Sequence, residues 1–327
     1  LLKYGAYGVA GAYVLRRGVS VSDAVATAAL AGTFFAAVNE LFAKIPELAV
    51  TRTAFGRLNP WLTPEKERFS NRTALEHVFF GRVLRDVTVC IAPDTTTAVT
   101  GINGAGKTTL LRLLAGLLKP DSGEAFVLRP EQIAYLPQTD ALFGIPGADL
   151  LAMAGEKAAA IACRFGLSEA QLAVDVRELS GGERKKVFLA VVFAAAPRLL
   201  ILDEPTAGLD PRGRDEILGY IRSYKESGNR SVVIVSHSMD DVARIADRII
   251  VLQKGGIIMD GAPGEVFSRA DELIAAGLDV PFAANVMRRL ARQGAIPVDM
   301  PPVYTVEAAA AALRELKEKK RGERAAL

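Results

Sequence analysis

Short runs of β-branched and apolar residues alternate with helical patterns through the middle of this chain. The runs that predict strands are bounded by turn residues and lie at positions 87–92, 97–100, 199–203 and 232–236. Helical periodicity lies between them, most clearly at positions 108–118 and 183–196. This alternation predicts an α/β fold with a largely parallel sheet and covering helices. Positions 249–260, with Lys254, Gly255 and Gly256 in the middle, predict a late β-hairpin.

The first part of the chain has a different pattern, with two uncharged stretches at positions 4–15 and 24–39. Arg16, Arg17 and Gly18 lie between them, so the pattern predicts two apolar helices joined by a short turn. Small residues recur on both stretches, as is typical of helices that pack closely in lipid. Each stretch is shorter than the roughly 20 apolar residues that usually cross a bilayer, so packing in a core stays the alternative. The two arginines would also lie on the non-cytoplasmic side, against the usual bias.

These patterns divide the chain into successive parts. We predict a helical hairpin belonging to a transmembrane domain over residues 1–57 and a linker rich in proline and charge over 58–73. A globular domain is predicted over 74–263 and an accessory helical region over 264–327. The accessory region includes a charged helix predicted at 306–320, whose Glu and Lys side chains are expected to be solvated.

Composition and charge narrow the class of protein further. Hydrophobic residues make up 50% of the 327 positions, and the formal net charge is +3. Because the 40 basic residues are interspersed with 37 acidic ones, no face for nucleic acid is predicted. Cys90 and Cys163 have no Cys or His at metal-ligand spacing, which argues against zinc or a disulfide scaffold and fits a reducing cytoplasm. No signal pattern is present, and we expect Leu1 to be the edge of a fragment.

The first candidate for chemistry is the run GINGAGKTT at positions 101–109, between a predicted strand and a predicted helix. Gly101, Gly104 and Gly106 let the backbone curl so that successive N–H groups point at phosphate oxygens, beside the partial positive charge of a helix N-terminus. Lys107 can then reach the β- and γ-phosphates, and Thr108 offers its hydroxyl to Mg²⁺. The full Gly-x-x-x-x-Gly-Lys-Thr spacing in this setting favours a nucleotide site over a flexible turn.

A pair of acids supplies a candidate metal ligand. The run LLILDEP at 199–205 predicts a buried strand that ends in Asp203 and Glu204. Ligands bind at the carboxyl ends of strands in open α/β sheets. We predict that Asp203 holds Mg²⁺, directly or through water, and that Glu204 orients and polarises the attacking water. Two ordinary surface carboxylates are the alternative, which the glycine-rich loop disfavours.

The run LSGGE at 179–183 is a second candidate anion site. Ser180 followed three residues later by Glu183 predicts a capping box, so a helix should begin here with free N–H groups. Gly181 and Gly182 permit close approach of a ligand. A plain helix cap is the alternative, and a second phosphate site makes sense if ATP is held from both sides.

Together these runs resemble the motifs of the ATP-binding-cassette (ABC) ATPases. The sequence has GINGAGKTT, AYLPQ, LSGGE, LLILDE, AGLD and VSH, and the resemblance covers roughly residues 74–263. It implies a P-loop nucleoside triphosphatase fold, with a mixed sheet core and a helical subdomain, that binds ATP and Mg²⁺. It also implies that Asn103, Ala105 and Thr109 belong to the nucleotide-binding loop.

The resemblance further implies that two such domains pair head to tail, with the loop of one facing Ser180, Gly181 and Gly182 of the other across ATP. Gln138 would contact Mg²⁺ and couple to a transmembrane transport domain. Asp210 would act across the dimer seam, and His237 would contact the γ-phosphate. We expect the other histidine, His77, to be an exposed strand residue.

Two departures from the family pattern concern adenine and coupling. ABC ATPases usually stack adenine on an aromatic residue shortly before the first conserved strand, but VFFGRVL at 78–84 is shortened. Phe79 and Phe80 are the candidate substitutes. The stretch between Gln138 and Leu179, which would form the subdomain that touches the transport domain, is also short for the family.

Two transporter types are compatible with the whole chain. Residues 1–57 resemble the last helical hairpin of an ABC exporter, whereas DEPTAGLDPRGRDEI, DGAPGEVF and AGLDVP resemble the ATPases of energy-coupling-factor importers. We predict an ATP-hydrolysing component of an ABC transporter, acting as a dimer on the cytoplasmic face of the membrane. The leading form carries part of a fused membrane domain, and the importer ATPase is the second. ABC ATPases that remodel ribosomes or DNA are a remote alternative, since they typically carry paired cassettes or long coiled-coil insertions.

Overall fold

The computed structural model describes residues 69–138, 144–297 and 303–325. The predictions for residues 1–57, and for the linker up to residue 68, therefore lie outside the described residues. Within the described ranges, no helix is both long enough and apolar enough to cross a membrane.

The described part alternates strands and helices, as the hydrophobic pattern predicts. The strands are β1 Thr73–Phe80, β2 Leu84–Ile91, β3 Thr96–Gly101, β4 Ser122–Phe126, β5 Ile133–Leu136, β6 Leu199–Asp203, β7 Ser231–Val235, β8 Arg248–Gln253 and β9 Gly256–Gly261. The helices are α1 Lys107–Leu114, α2 Gly147–Met153, α3 Glu156–Arg164, α4 Glu169–Leu172, α5 Gly181–Ala194, α6 Pro211–Glu226, α7 Met239–Ile245, α8 Pro263–Ser268, α9 Ala270–Ala275, α10 Phe282–Arg292 and α11 Val306–Ala325.

The central sheet has six strands in the order β5-β6-β7-β3-β8-β9. The first five run parallel to their neighbours, and β9 pairs antiparallel with β8 as the predicted hairpin. Strands β3, β6 and β7 are buried along their whole length, which explains the nearly continuous apolar sequences of β6 and β7. Because β7 lies between β6 and β3, the loops that follow these three strands meet at one edge of the sheet.

A second sheet is antiparallel, with the order β2-β1-β4. The strand predicted at 87–92 therefore belongs here as part of β2 and not to the parallel sheet. Its burial alternates along the strand, as expected where one face of an antiparallel sheet meets solvent. His77 lies in β1 with its side chain 79% exposed, as the sequence predicts.

The C-terminal ends of two helices come earlier than the sequence pattern predicts. Helix α1 ends at Leu114 and not at residue 118, because Gly116 takes φ 69° and the N–H of Leu117 turns back to the carbonyl of Arg112. Helix α5 begins at Gly181, directly after the Ser180 cap, as the capping box predicts, and ends at Ala194 and not at residue 196.

Apolar residues cover both faces of the central sheet. Alternate residues of β6 show this, since Leu200 and Leu202 pack in one cluster and Leu199 and Ile201 in the other. Residues after 263 join the first cluster through Val266, Leu273, Leu278 and Val280. Helices α10 and α11 pack together in a smaller third cluster.

Candidate active site

The loop between β3 and α1 has the shape that its glycines predict. Gly106 takes φ 105°, and a Cβ atom there would lie 2.7 Å from Cδ2 of Leu84. Any larger residue would therefore collide with β2 and strain the backbone. Among the described residues no side chain caps the N-terminus of α1, and no acid lies in its first turn, so its N–H groups are available to an anion.

Lys107 is held inside this loop. Its Nζ donates to the carbonyl of Gly101 at 2.7 Å and to that of Ile102 at 3.1 Å, and the residue is only 8% exposed. Burial lowers the pKa of the Lys107 ammonium, while the nearby carboxylates of Glu204 and Asp203 oppose that effect. The side chain is thus positioned before any phosphate binds.

A hydroxyl and a carboxylate meet where a metal ion would be expected. Thr108 Oγ1 donates to Asp203 Oδ2 at 2.8 Å, and Asp203 is 1% exposed at the end of β6. Gln138, which follows β5, lines the same cavity, and its main-chain carbonyl accepts from Nζ of Lys185 at 3.2 Å. Hydroxyl, carboxylate and amide oxygens are the ligands that Mg²⁺ prefers, so these side chains fit that ion.

Glu204 is the buried acid of the site, and its backbone is unusual. Its φ is 55°, in the left-handed region, and its N–H donates to the carbonyl of Val235 at 3.1 Å. Its Oε1 lies 3.2 Å from Nε2 of His237 without an aligned hydrogen bond, so this buried oxygen has no hydrogen-bond partner in the described structure. Its Oε2 accepts from the His237 backbone N–H at 3.4 Å.

The electrostatics of this pair follow from burial. Burial raises the pKa of the Glu204 carboxyl from 4.5 to about 7; the His237 N–H opposes the rise, and Asp203 adds to it. The pKa of His237 is lowered, first by burial and then by the Lys107 ammonium. At neutral pH the imidazole is therefore mainly neutral, and the acid lies near the midpoint of its titration.

These side chains line one cavity of about 330 Å³. Its described lining is Val83, Asn103, Gly104, Gly106, Lys107, Thr108, Thr109, Gln138, Asp203, Glu204, Val235 and His237. Two predicted residues, Gly101 and Ala105, are not in this lining. Gly101 is the buried last residue of β3, and Ala105 is only 2% exposed. The cavity is large enough for a polyphosphate and opens to solvent.

Sequence reasoning missed Val83. Neither Phe79 nor Phe80 is among the described residues of the lining: Phe79 is 42% exposed, and Phe80 packs against the core. The shortened turn between β1 and β2 brings Val83 beside Gly106 instead, with its Cγ1 3.4 Å from where a Cβ of Gly106 would lie. No feature of the sequence identifies Val83, because its position depends on how β2 packs against the loop.

The remaining predicted residues line a second cavity of about 460 Å³. Ser180, Gly181, Gly182 and Asp210 belong to it, together with Gln171 and Lys186 among others. A Cβ on Gly182 would lie 3.4 Å from Cδ2 of Leu209, so the LSGGE segment packs against the segment that contains Asp210.

Helix caps form the wall of this second cavity. The N–H of Glu183 donates to Ser180 Oγ at 3.3 Å, and the N–H of Ser180 donates to Glu183 Oε2 at 2.9 Å, which completes the predicted capping box. Gln171 also donates to Glu183, and the Ser180 hydrogen bonds hold the pKa of Glu183 below its usual range. Asp210 caps α6 by accepting from the N–H of Gly213 at 3.1 Å. The predicted site residues thus fall into two groups on one chain.

The first group defines a class of protein. A glycine-rich loop leads from a parallel strand into a helix, and the buried Asp203, which accepts from Thr108 of that helix, ends a strand two positions away in the same sheet. This is the arrangement of the P-loop nucleoside triphosphatases.

Comparison with known proteins identifies the family within this class. The family model described as ABC transporter matches residues 84–207. The energy-coupling factor transporter ATP-binding protein EcfA2 of Symbiobacterium thermophilum is 38% identical over 263 residues, covering 72% of this chain and 90% of that protein. The protein of the same name from Geobacillus kaustophilus is 36% identical over 280 residues, covering 74% of this chain and 95% of that protein. The chain belongs to the ABC transporter ATPase family: it binds ATP with Mg²⁺ and is an ATP-hydrolysing component of a transporter.

Solved structures agree with this fold. An ATP-binding subunit of an ABC transporter is 25% identical, with a TM-score of 0.57, and covers 63% of this chain and 98% of its own. The cbiO1 protein from Clostridium perfringens, part of the ABC transporter complex cbiONQ, is 25% identical with a TM-score of 0.54 and covers 68% of this chain and 98% of its own.

Proposed function

We propose that the residues around the first cavity divide the work of ATP binding between phosphate and metal. The N–H groups between Asn103 and Thr109, together with the Lys107 ammonium, bind the phosphates. Thr108, Asp203 and Gln138 hold Mg²⁺, which neutralises charge on the phosphate oxygens when it is bound. The 2.8 Å contact between Thr108 Oγ1 and Asp203 Oδ2 is the main support for this assignment.

We further propose that Glu204 and His237 act on the reacting end of the nucleotide. Glu204 orients and polarises the attacking water through its buried carboxylate, whose Oε1 lacks a hydrogen-bond partner in the described structure. The neutral imidazole of His237 donates a hydrogen bond to the γ-phosphate. Catalysis of phosphoryl transfer depends mainly on such positioning and charge stabilisation.

The second cavity supports a head-to-tail dimer. We propose that Ser180, Gly181 and Gly182 bind the γ-phosphate of the nucleotide held by the partner chain, and that Asp210 acts across the seam. The single observation that carries this proposal is the separation of the predicted residues into two cavities on one chain. One complete site then needs one cavity from each of two chains.

Mixing two inactive variants tests the dimer. Lys107→Ala removes the phosphate-binding ammonium, and Ser180→Arg places bulk and charge at the N-terminus of α5. We expect each variant alone to be inactive and their mixture to regain part of the ATPase activity, because one composite site is then intact. Ser268→Arg, which adds the same side chain at an exposed position outside both cavities, is the matched control and should keep full activity. Heterodimers without recovered activity would overturn this site arrangement.

We infer that the transporter is of the energy-coupling-factor type, with the ATPase on the cytoplasmic face of the membrane beside a separate membrane protein. The support is the identity of 34–38% to curated ATP-binding proteins of such transporters, over 84–95% of their lengths. The runs DGAPGEVF and AGLDVP carried the same resemblance in the sequence.

A fused exporter is the second candidate, and the uncharged stretches within residues 1–57 favour it. The gene sequence upstream of the Leu1 codon distinguishes the two. A fused exporter requires further apolar helices of about 20 residues each in the same reading frame. An upstream start codon without such helices, together with a full chain that purifies without detergent, supports the importer ATPase and excludes the exporter.

A further inference from the structure

Asp241 is a buried carboxylate that the catalytic scheme above does not use. It lies in α7 and is 2% exposed. Its Oδ2 accepts a hydrogen bond of 2.9 Å from Oγ1 of Thr206, which is itself 3% exposed. A buried carboxylate is costly unless partners compensate it, and the Thr206 hydroxyl supplies one such partner.

A second partner approaches the same oxygen from another helix. Nε of Arg214, in α6, lies 3.3 Å from Asp241 Oδ2. The carboxylate therefore lies between three elements: the turn after β6, helix α6 and helix α7. Helix α7 is also capped close by, since the N–H of Asp241 donates to Oγ of Ser238 at 3.2 Å.

Each of these three elements contains or directly follows a residue of the site. Glu204 lies two residues before Thr206 in the turn, and His237 lies two residues before the start of α7. Asp210 caps α6 and lines the second cavity. The Asp241 carboxylate thus links the turn that carries Glu204 to the helix that follows His237. It links both of them to the helix that Asp210 caps.

Helix capping does not account for this contact. Acids in the first turn of a helix commonly serve its free N–H groups. The neighbouring acid, Asp240, is exposed and accepts from the N–H of Phe282 at 2.8 Å. Oδ2 of Asp241 instead contacts Thr206, in the turn after β6, and Arg214, in α6.

We propose that Asp241 is a positioning residue for hydrolysis: its hydrogen bond to Thr206 holds Glu204 against His237, and its pairing with Arg214 keeps Asp210 in register with them. This inference rests on the proposed roles of those three site residues. It joins the half of the site that holds nucleotide to the half that faces the partner chain. Asp241 itself touches no phosphate in this scheme, so its loss should lower turnover and leave ATP affinity unchanged.

The test compares three substitutions in the full chain. Asp241→Ala removes both contacts, Thr206→Val removes only the hydroxyl, and Asp240→Asn is the matched control in the same helical turn. We expect Asp241→Ala to lower kcat at least tenfold and Thr206→Val to lower it several-fold, with the Kd for ATP within about twofold of wild type. Asp240→Asn should keep the wild-type kcat.

A double variant separates positioning from general destabilisation. Because both substitutions break the same bond, Asp241→Ala with Thr206→Val should be no slower than Asp241→Ala alone. If Asp241→Ala does not fold, Thr206→Val still decides the matter, since an unchanged kcat there would overturn the proposal. Loss of ATP affinity in parallel with kcat would also overturn it. If Lys107→Ala hydrolyses ATP as fast as wild type, the proposed nucleotide site itself is refuted. If Lys107→Ala is inactive but the Asp241 and Thr206 variants keep the wild-type rate, only the positioning role of Asp241 is refuted.

Discussion

Replacing Glu204 by glutamine should make the nucleotide-free protein more stable at alkaline pH, while abolishing most of its turnover. In the folded protein the pKa of this carboxyl is about 7, against an ordinary value of 4.5. Between these two pH values the folded chain binds more protons than the unfolded chain, so the free energy of unfolding falls as pH rises through this window. A difference of about 2.5 pH units corresponds to about 3 kcal/mol. Glutamine never ionises, so the variant avoids this cost.

Urea unfolding at several pH values measures the effect. We expect Glu204→Gln and wild type to have nearly equal stability below pH 4.5, and the variant to be more stable by up to about 3 kcal/mol at pH 8. Glu226→Gln, the same substitution at the exposed end of α6 and outside both cavities, is the control and should keep the ATPase activity of wild type. ATP binding should remain, and turnover should fall by about 10² to 10⁴, as is typical when a general base is lost.

Two outcomes would refute this reasoning separately. If the stability of Glu204→Gln relative to wild type does not change between pH 5 and pH 8, the carboxyl is not held in a site that disfavours its charge. If turnover is unchanged in the variant, Glu204 does not orient the attacking water. The first result concerns the burial of the side chain and the second its chemistry.

Two further substitutions test contacts that only the folded chain reveals. Gly277→Ala should lose about 1 kcal/mol or more of stability from its φ of 80° and should also weaken ATP binding, because the new Cβ would lie 3.2 Å from Cγ2 of Ile102 in the phosphate loop. Gly228→Ala has a φ of 87°, but its new Cβ would meet no heavy atom within 4 Å in the described part of the chain beyond its immediate neighbours, so it should lose stability alone. Equal ATP affinities in the two variants would contradict the coupling. Val83→Tyr should tighten ATP binding by about tenfold, since base stacking on an aromatic ring is worth about 1–3 kcal/mol. Phe79→Ala should leave the Kd unchanged, and a weaker Kd there would place adenine against Phe79 instead.

The phosphate loop and the acids could be predicted from sequence because their chemistry is local. GINGAGKTT holds its glycines, lysine and threonine within nine consecutive positions, and the following helix begins one residue from where the pattern places it. The run LLILD likewise contains both the buried strand and the carboxylate at its end. Ser180 and Glu183 form their capping box within a single turn. Side chains so close in sequence depend little on the rest of the fold.

Tertiary structure alone decided which distant residues meet. The strand predicted at 87–92 joined an antiparallel sheet, since strand pairing depends on partners that the strand's own sequence does not specify. Val83 reached the cavity because β2 packs against the loop, and Asp241 reached Thr206 across 35 positions of sequence. The pattern SMDD shows two acids in one helical turn and cannot distinguish the exposed one from the buried one. Burial and long-range contact arise from packing, so the local sequence determined the chemical groups of this site and the assembled sheet determined their arrangement.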